Sequence, residues 1–232
     1  MIISGRNAIT ELLRGGKKVE KVLSLRPLDR ELVDLTAERK VPVEIIDDDQ
    51  MQRLTKSKKT QGMVAFVPEF KYNAIEELLT NEEPFLVILD GIQDPHNLGA
   101  IIRTCECAGV DGIIVPKNRA CPVNETVYST SAGAIANVKI AMVTNLNETI
   151  RQLKDKNIWI YALEADGQNI YSTDLKGGLA LVVGSEGFGV HELTRKTCDG
   201  VLSLPMYGKI NSLNASNASA IAVYEAVRQR RK

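Results

Sequence analysis

Long apolar segments are missing from this chain. No run approaches the ~20 consecutive apolar residues that a membrane-spanning helix needs. No basic segment followed by an apolar core opens the chain, as a secretory signal would require. We therefore expect a cytoplasmic protein with no membrane partner.

Cysteine is scarce, with four residues in 232. Cys105 and Cys107 are separated by a single residue, and no second ligand pair completes a zinc pattern. We therefore expect no metal site, and we interpret the four cysteines as reduced, mostly buried thiols of a cytosolic protein. The other two are Cys121 and Cys198.

Net charge is absent as well, because 29 Lys and Arg residues balance 29 Asp and Glu residues. The net charge therefore gives no overall positive electrostatic potential that would indicate a nucleic-acid partner. The distribution is less even: residues 1–72 carry 14 basic and 11 acidic side chains, and residues 73–232 carry 15 and 18. This small asymmetry favours the N-terminal part as a nucleic-acid-facing surface, although an ordinary solvated surface would explain it too.

The length of 232 residues and the hydrophobic content of 44% suit one large or two small domains. Helical spacing alternates with short extended runs in the first part, which predicts a small α/β domain over residues 1–68. We interpret residues 69–80 as a linker with a short helix. Residues 81–232 then form the second domain.

The second domain has an α/β pattern with strands that are apolar almost throughout, which is typical of a parallel sheet covered on both faces. The predicted strands are Phe85–Leu89, Gly112–Val115, Val138–Val143, Ile158–Leu163, Leu179–Val183 and Val201–Leu204. The predicted helices are Leu98–Ala108, Glu125–Ser131, Leu146–Lys154, Val190–Lys196 and Ala215–Arg230.

Three polar, glycine-containing stretches each follow a predicted strand and precede a helical run. Motif one is Asp90–Gly99 (DGIQDPHNLG) with Arg103 behind it, motif two is Gly184–Gly189 (GSEGFG), and motif three is Leu204–Asn214 (LPMYGKINSLN). The carboxyl ends of strands gather at one edge of an open α/β sheet, and ligands bind there. The motifs therefore predict an active site at this edge.

The three motifs, in this order, resemble those of the SpoU (TrmH) family of RNA ribose 2′-O-methyltransferases. Gly5–Ala8 and Gln61–Ala65 are similar to the N-terminal RNA substrate-binding domain of that family, so the resemblance covers nearly the whole chain. It implies S-adenosyl-L-methionine as the cofactor and a C-terminal trefoil knot in the methyltransferase domain. It also implies a homodimer formed through the knotted domain, with each active site completed near the interface.

The substrate follows from the same resemblance. The most similar branch of the family modifies a guanosine in large-subunit ribosomal RNA, and the separate N-terminal domain favours that branch. A transfer RNA substrate is one alternative. A non-catalytic RNA-binding or ribosome-assembly factor is another, and the intact motif residues argue against it.

The cofactor-binding residues lie in motifs two and three. The resemblance implies that the main chain of Gly184, Leu204 and Leu213 contacts the cofactor. Gly187 is added because a glycine lets the backbone approach a ligand closely. The alternative for both glycines is that they only permit turns. The spacing in motif two differs from the dinucleotide-binding fingerprint.

The predicted catalytic residues are Asn97, Arg103, Glu186, Ser212 and Asn214. The resemblance implies that Asn97 orients neighbouring catalytic groups and that Ser212 and Asn214 shape the pocket. Helix capping is the alternative for all three, because each lies just before a helical run. Downstream, Asn217 puts a polar residue where the family has a small apolar one.

An arginine in a helix is usually a surface charge, but Arg103 interrupts an apolar helical run, and a buried charge is costly unless it is paired. The position favours a functional or ion-paired arginine, for which Glu186 would be a natural partner. A guanidinium stays protonated in proteins, so it cannot serve as a base. We therefore expect Arg103 to bind the adjacent phosphate and stabilise the 2′-oxyanion, while solvent takes the proton.

Several other polar residues are ambiguous. His96 is interpreted as a loop residue in reach of RNA, and His191 as a structural residue that opens a helix. Two basic segments suit either phosphate contact or simple solvation. They are the loop with Lys56, Lys58 and Lys59, and the tail with Arg228, Arg230, Arg231 and Lys232.

Overall fold

The computed structural model describes residues 1–55 and 60–231. Backbone contacts divide the chain into two units: Met1–Lys71 with Val123–Asn137, and Tyr72–Pro122 with Val138–Lys232. The predicted domains were continuous in sequence, whereas the first unit takes a segment from inside residues 81–232. The predicted basic loop at Lys56, Lys58 and Lys59 lies outside the described residues, as does Lys232.

The elements alternate along the whole chain. The strands are β1 (Ile2–Ser4), β2 (Lys21–Ser24), β3 (Val43–Ile45), β4 (Met63–Phe66), β5 (Phe85–Asp90), β6 (Gly112–Pro116), β7 (Ile140–Val143), β8 (Trp159–Asn169), β9 (Leu179–Gly184) and β10 (Gly200–Ser203). The helices are α1 (Arg6–Arg14), α2 (Arg30–Glu38), α3 (Asp48–Leu54), α4 (Pro95–Ala108), α5 (Glu125–Thr130), α6 (Leu146–Lys154), α7 (Glu192–Thr197) and α8 (Ala215–Arg230). Short 3-10 helices lie at Ile75–Leu78, Ala134–Ala136 and Ile170–Ser172.

The first unit is a mixed sheet with the strand order β1-β4-β2-β3. Strand β4 is antiparallel to β1 and β2, and β3 is parallel to β2. Helix α1 buries Ile9, Leu12 and Leu13, which have helical spacing, and Gly15 follows its last turn. The three-residue strand β1 has no counterpart in the sequence prediction, because so short a run carries no periodicity.

The segment 123–137 is fitted closely into the first unit. Helix α5 packs on β1, and the Ser4 hydroxyl donates a hydrogen bond to Glu125. Gly133 has φ +88°, and a Cβ built there would lie 2.3 Å from Cβ of Glu11. Glycine is therefore required at this position for both backbone conformation and space.

The second unit contains a six-stranded parallel sheet with the order β10-β8-β9-β5-β6-β7. The predicted parallel sheet is confirmed. Every residue of β5 and β9 is buried, which explains why these strands are apolar almost throughout. The trefoil knot remains a prediction from the resemblance. Within residues 1–55 and 60–231, no helix is long and apolar enough to cross a membrane.

Strand register brings the motifs together. Asp90 and Gly184, the last residues of β5 and β9, are direct register partners, so motifs one and two leave the sheet side by side. Strand β10 pairs with β8, which is the other neighbour of β9. Motif three follows β10 and therefore starts from the same edge of the sheet.

Two helices start at residues other than those predicted, and one of them is α7, which begins at Glu192 rather than at Val190. Helix α4 begins at Pro95, because Asp94 is the N-cap and accepts hydrogen bonds from the backbone N–H groups of His96 (3.1 Å) and Asn97 (3.3 Å). The capping alternative for Asn97 is therefore wrong. Helix α8 begins as predicted, and its N-cap is Asn214 rather than Ser212.

Candidate active site

One predicted residue from each motif meets in a single hydrogen-bonded cluster. The Nδ2 of Asn97 donates to Oε1 of Glu186 at 3.0 Å. The Nδ2 of Asn214 donates to Oδ1 of Asn97 at 3.0 Å and also to Oε1 of Glu186. We call this arrangement the Asn97–Glu186–Asn214 cluster, and it places the three motifs at one point.

The two amides hold one carboxylate oxygen and leave the other unused. A carboxylate has two oxygens that only accept hydrogen bonds when it is ionised. Both amide donors use Oε1 of Glu186, and no residue in the described part of the chain donates to Oε2. The carboxylate is therefore held in place with one oxygen able to accept a hydrogen bond from a bound molecule.

The cluster reaches from the interior to the surface. Asn97 is only 7% exposed, whereas Glu186 and Asn214 are exposed. Asn214 performs two roles, because its Oδ1 accepts from Ser216 N at 2.9 Å and caps α8 while its Nδ2 joins the cluster. Both interpretations of Asn214, capping and pocket formation, are therefore compatible.

A cavity of about 690 Å³ adjoins the cluster, within the range of roughly 300–1,000 Å³ that is usual for small-molecule sites. Motifs two and three, the middle of β8 and the carboxyl ends of β9 and β10 line it. Its walls include every residue predicted to bind the cofactor, together with three predicted catalytic residues: Gly184, Gly187, Leu204, Leu213, Glu186, Ser212 and Asn214. Asn97 and Arg103 are not among the described residues that line it.

Motif two is a closed loop. Ser185 and Gly189 exchange two backbone hydrogen bonds, of 3.0 and 2.9 Å. A Cβ on Gly184 would lie 2.0 Å from the carbonyl carbon of Gly189, so the loop's own backbone excludes a side chain there. Glycine is thus required here because the backbone of the same loop comes close to Gly184, whether or not a ligand does. Gly187 has φ +84°, and apart from its chain neighbours no described residue has an atom within 4 Å of a built Cβ.

Glu164 is a site residue that the sequence prediction missed. It lies in β8, lines the cavity, and accepts a hydrogen bond from the backbone N–H of Val190 just after motif two. A Cβ on Gly189 would lie 2.5 Å from Oε1 of Glu164. The available signal was an acidic residue directly after the apolar run Ile158–Leu163, at the edge where the motifs were placed.

Arg103 lies on the exposed side of α4, although the preceding Ile101 and Ile102 are fully buried. Successive residues of a helix point in directions about 100° apart, so a charge next to buried residues can still face outward. No hydrogen bond or ion pair to Arg103 is formed by residues 1–55 or 60–231, and Glu186 pairs with the two asparagines instead. The buried, ion-paired alternative is therefore wrong.

The four thiols are free, but only Cys105 and Cys121 are buried. Cys107 is exposed on α4, and the prediction of mostly buried thiols did not distinguish it from the others. Burial, with a smaller contribution from Asp199, raises the pKa of Cys198 to about 12. Among the described residues, no group of three or more His, Cys, Asp or Glu side chains is arranged to hold a metal ion.

Comparison with known proteins identifies the same family that the three motifs resemble, and the matches cover nearly the whole chain. The SpoU rRNA Methylase family model matches residues 84–224, and the model for RNA 2′-O ribose methyltransferase substrate binding matches residues 2–73. The chain is 42% identical over 240 residues to the 23S rRNA (guanosine-2′-O-)-methyltransferase RlmB of Pectobacterium atrosepticum, covering 99% of this chain and 98% of that one. It is 40% identical over 243 residues to the RlmB of Shewanella oneidensis, with the same coverage of 99% and 98%.

A solved structure is similar over nearly the whole chain. The SpoU methyltransferase AviRb from Streptomyces viridochromogenes, in complex with the cofactor AdoMet, superimposes with a TM-score of 0.86 at 25% identity. The match covers 99% of this chain and 89% of AviRb. From the two family models, the full-length relatives and the shared fold, the chain belongs to the SpoU rRNA methylase family.

Proposed function

We propose that this protein transfers the methyl group of S-adenosylmethionine to the ribose 2′-hydroxyl of a guanosine in 23S ribosomal RNA. One structural observation carries the proposal: the Asn97–Glu186–Asn214 cluster joins the three motifs beside the cavity. The relatives named for this reaction match 98% of their own length, including the substrate-binding region.

The cavity fits S-adenosylmethionine in size and chemistry. Its walls combine apolar side chains, which suit the adenine ring, with the main chain of motif two, which offers hydrogen-bonding groups. When bound, S-adenosylmethionine supplies a methyl group on a sulfonium centre. We assign the main chain of Gly184, Leu204 and Leu213 to cofactor binding, with Gly187 at the turn of the loop.

Glu186 is proposed to orient the ribose. Its Oε2 is free to accept a hydrogen bond from the 2′-hydroxyl, and Asn97 and Asn214 fix the carboxylate for that purpose. Accurate positioning can supply about 7–11 kcal/mol of a reaction barrier in favourable cases. Ser212, in the cavity wall, is proposed to shape the same pocket.

Arg103 is proposed to stabilise the developing 2′-oxyanion and to bind the neighbouring phosphate. Its guanidinium is exposed and keeps all of its donors, since no carboxylate among the described residues pairs with it. A guanidinium does not give up its proton. The hydroxyl proton therefore passes to solvent.

The active protein is proposed to be a homodimer in the cytoplasm, where its ribosomal substrate is made. Motif three exposes Tyr207 (98%) and Ile210 (76%), and α8 exposes Ile221 and Tyr224. Large apolar side chains that are left exposed suit an interaction surface. A second copy on this surface would cover them and complete the site, because Arg103 does not line the cavity of a single chain.

A labelling experiment tests the proposal. The protein is incubated with S-adenosylmethionine carrying a labelled methyl group and with unmodified 23S rRNA, with tRNA in parallel, and the labelled nucleotide is mapped. We expect label on the ribose of one guanosine in 23S rRNA, and none with Glu186→Gln. Label in tRNA alone would show that the substrate is tRNA rather than 23S rRNA. Cofactor binding without any labelled RNA would indicate a non-catalytic RNA-binding protein.

A further inference from the structure

A second series of polar side chains lies at the same edge of the sheet, outside the cavity. Asp90, at the end of β5, is 6% exposed and accepts the backbone N–H of His191 at 3.0 Å. The Nδ1 of His191 lies 2.9 Å from Oδ1 of Asp90. Its Nε2 lies 3.3 Å from Nη1 of Arg119. We call these residues the Asp90–His191–Arg119 series.

The chemistry of the three groups fixes the proton on the imidazole. A guanidinium has N–H donors and no acceptor, so Nε2 of His191 must accept from Arg119. The proton of a neutral imidazole then sits on Nδ1 and is donated to the Asp90 carboxylate. His191 thus connects a buried carboxylate to an exposed guanidinium and holds the guanidinium in place.

Arg119 differs from the paired arginines of the protein. Arg6, Arg14, Arg151, Arg195 and Arg228 each contact a carboxylate. Arg119 has none within the part of the chain that the structure describes, so its positive charge is not neutralised. Its backbone has φ +57°, a left-handed conformation that side chains other than glycine adopt at a cost. Such strain persists where the surrounding structure holds it, and it is concentrated at functional sites.

The series is tied to the motifs on both sides. Asp90 is the first residue of motif one, and His191 follows motif two by two positions. A Cβ on Gly91 would lie 3.3 Å from Cε1 of His191, so motif one packs directly on the imidazole. The guanidinium is therefore held by the same strand ends that carry the Asn97–Glu186–Asn214 cluster.

We propose that Arg119 binds an RNA phosphate next to the target nucleotide and that His191 and Asp90 are positioning residues for its guanidinium. The inference rests on the proposed function and adds a substrate-binding residue outside the cofactor cavity. An uncompensated guanidinium with several free donors suits a phosphodiester, which accepts in a fork geometry.

The experiment measures methylation kinetics and direct RNA binding for Arg119→Asn. Asparagine is neutral and tolerates a left-handed backbone, so the loop conformation is kept. We expect KM for RNA to rise about 5-fold or more with kcat within about 2-fold, and the salt slope of RNA binding to fall by about one. Cofactor affinity should not change. The matched control is Arg195→Ala, because Arg195 is already neutralised by Asp166.

A double-variant cycle tests the positioning role of His191. His191→Leu removes the acceptor, whereas His191→Gln keeps an oxygen near the position of Nε2. We expect His191→Leu to raise KM for RNA as much as Arg119→Asn does, and His191→Gln to give a KM nearer that of the wild type. The double variant that combines His191→Leu with Arg119→Asn should have a KM no higher than that of either single variant. Fully additive effects, or equal losses for Gln and Leu, would overturn the positioning role.

An unchanged KM and salt slope for Arg119→Asn would overturn the phosphate contact. This failure is distinct from failure of the proposed function, which would be a wild-type protein that does not methylate RNA. In that case the salt dependence of RNA binding still decides whether Arg119 contacts phosphate.

Discussion

Asn97 donates its side-chain amide to Glu186 across 3.0 Å, although the two residues are 89 positions apart in the chain. Asn214, which is 117 positions from Asn97, completes the contact. Because Asp94 caps α4, Oδ1 of Asn97 is not needed as a capping acceptor and accepts from Asn214 instead. The site therefore depends on a capping residue that takes no part in the cluster itself.

The first prediction concerns the amide donors. Asn214→Asp keeps the capping oxygen of α8 but replaces the donor with a second carboxylate beside Glu186. We expect helix content and melting temperature to stay near those of the wild type and methylation to fall by about 100-fold, because the carboxylate is no longer held. Ser216→Ala is the control, since the Ser216 hydroxyl donates to the capping oxygen of Asn214 and not to the groups that hold Glu186. Normal turnover in Asn214→Asp would remove the cluster from the mechanism.

The second prediction separates the two glycines of motif two. Gly184→Ala would place Cβ 2.0 Å from the Gly189 backbone, so the loop must move and the cofactor cavity with it. We expect S-adenosylmethionine to raise the melting temperature of the wild type by mass action and not that of Gly184→Ala. Gly187→Asn should retain the shift, because that position has open space and asparagine tolerates its positive φ. Equal shifts in both variants would contradict this distinction.

The third prediction concerns Arg103. Because its side chain is exposed and unpaired among the described residues, Arg103→Ala should leave stability within about 0.5 kcal/mol of the wild type. Methylation should fall by roughly 100-fold or more while cofactor affinity stays the same. Arg103→Lys should recover little, because an ammonium lacks the guanidinium fork. The control is Arg151→Ala, an exposed arginine paired with Glu148 on α6. Turnover near that of the wild type in Arg103→Ala would leave it without a catalytic role.

The fourth prediction concerns the first unit. Deleting residues 1–71 would uncover Val127 and Ile135, which are fully buried in the segment that belongs to that unit. We expect the simple deletion to aggregate. The same deletion with residues 123–137 replaced by a Gly/Ser linker of equal length should stay monodisperse, bind S-adenosylmethionine and methylate 23S rRNA poorly. Size-exclusion chromatography and calorimetry distinguish the two. A well-behaved simple deletion would show that the segment does not depend on residues 1–71.

The sequence alone was sufficient for much of the fold. Apolar runs without alternation predicted the parallel sheet, since strands such as β5 and β9 are buried on both faces and need no polar positions. The motif residues were located by their place after these strands. Their family assignment came from the resemblance, which the family models and relatives confirm.

Other features required the tertiary structure. The exposure of Arg103 depends on its direction around α4, and the cap of α4 depends on whether Asp94 or Asn97 meets the free backbone N–H groups. Neither is visible in residue type alone. The place of residues 123–137 in the first unit likewise depends on packing between segments far apart in the chain.

What the sequence determined by itself was therefore which segments of the second domain form the strands of the parallel sheet and most of the helices around it, but not where each of them ends. Periodicity and residue type determine secondary structure through neighbouring residues, so their effect can be predicted from the sequence. Tertiary structure alone decided the contacts of Glu186 with Asn97 and Asn214 and of His191 with Asp90 and Arg119. These contacts arise because β5 and β9 are neighbours in register, with β6 beside β5 and β10 next to β8 in the same parallel sheet. A long-range pairing of strands leaves no local trace in the residues that it brings together.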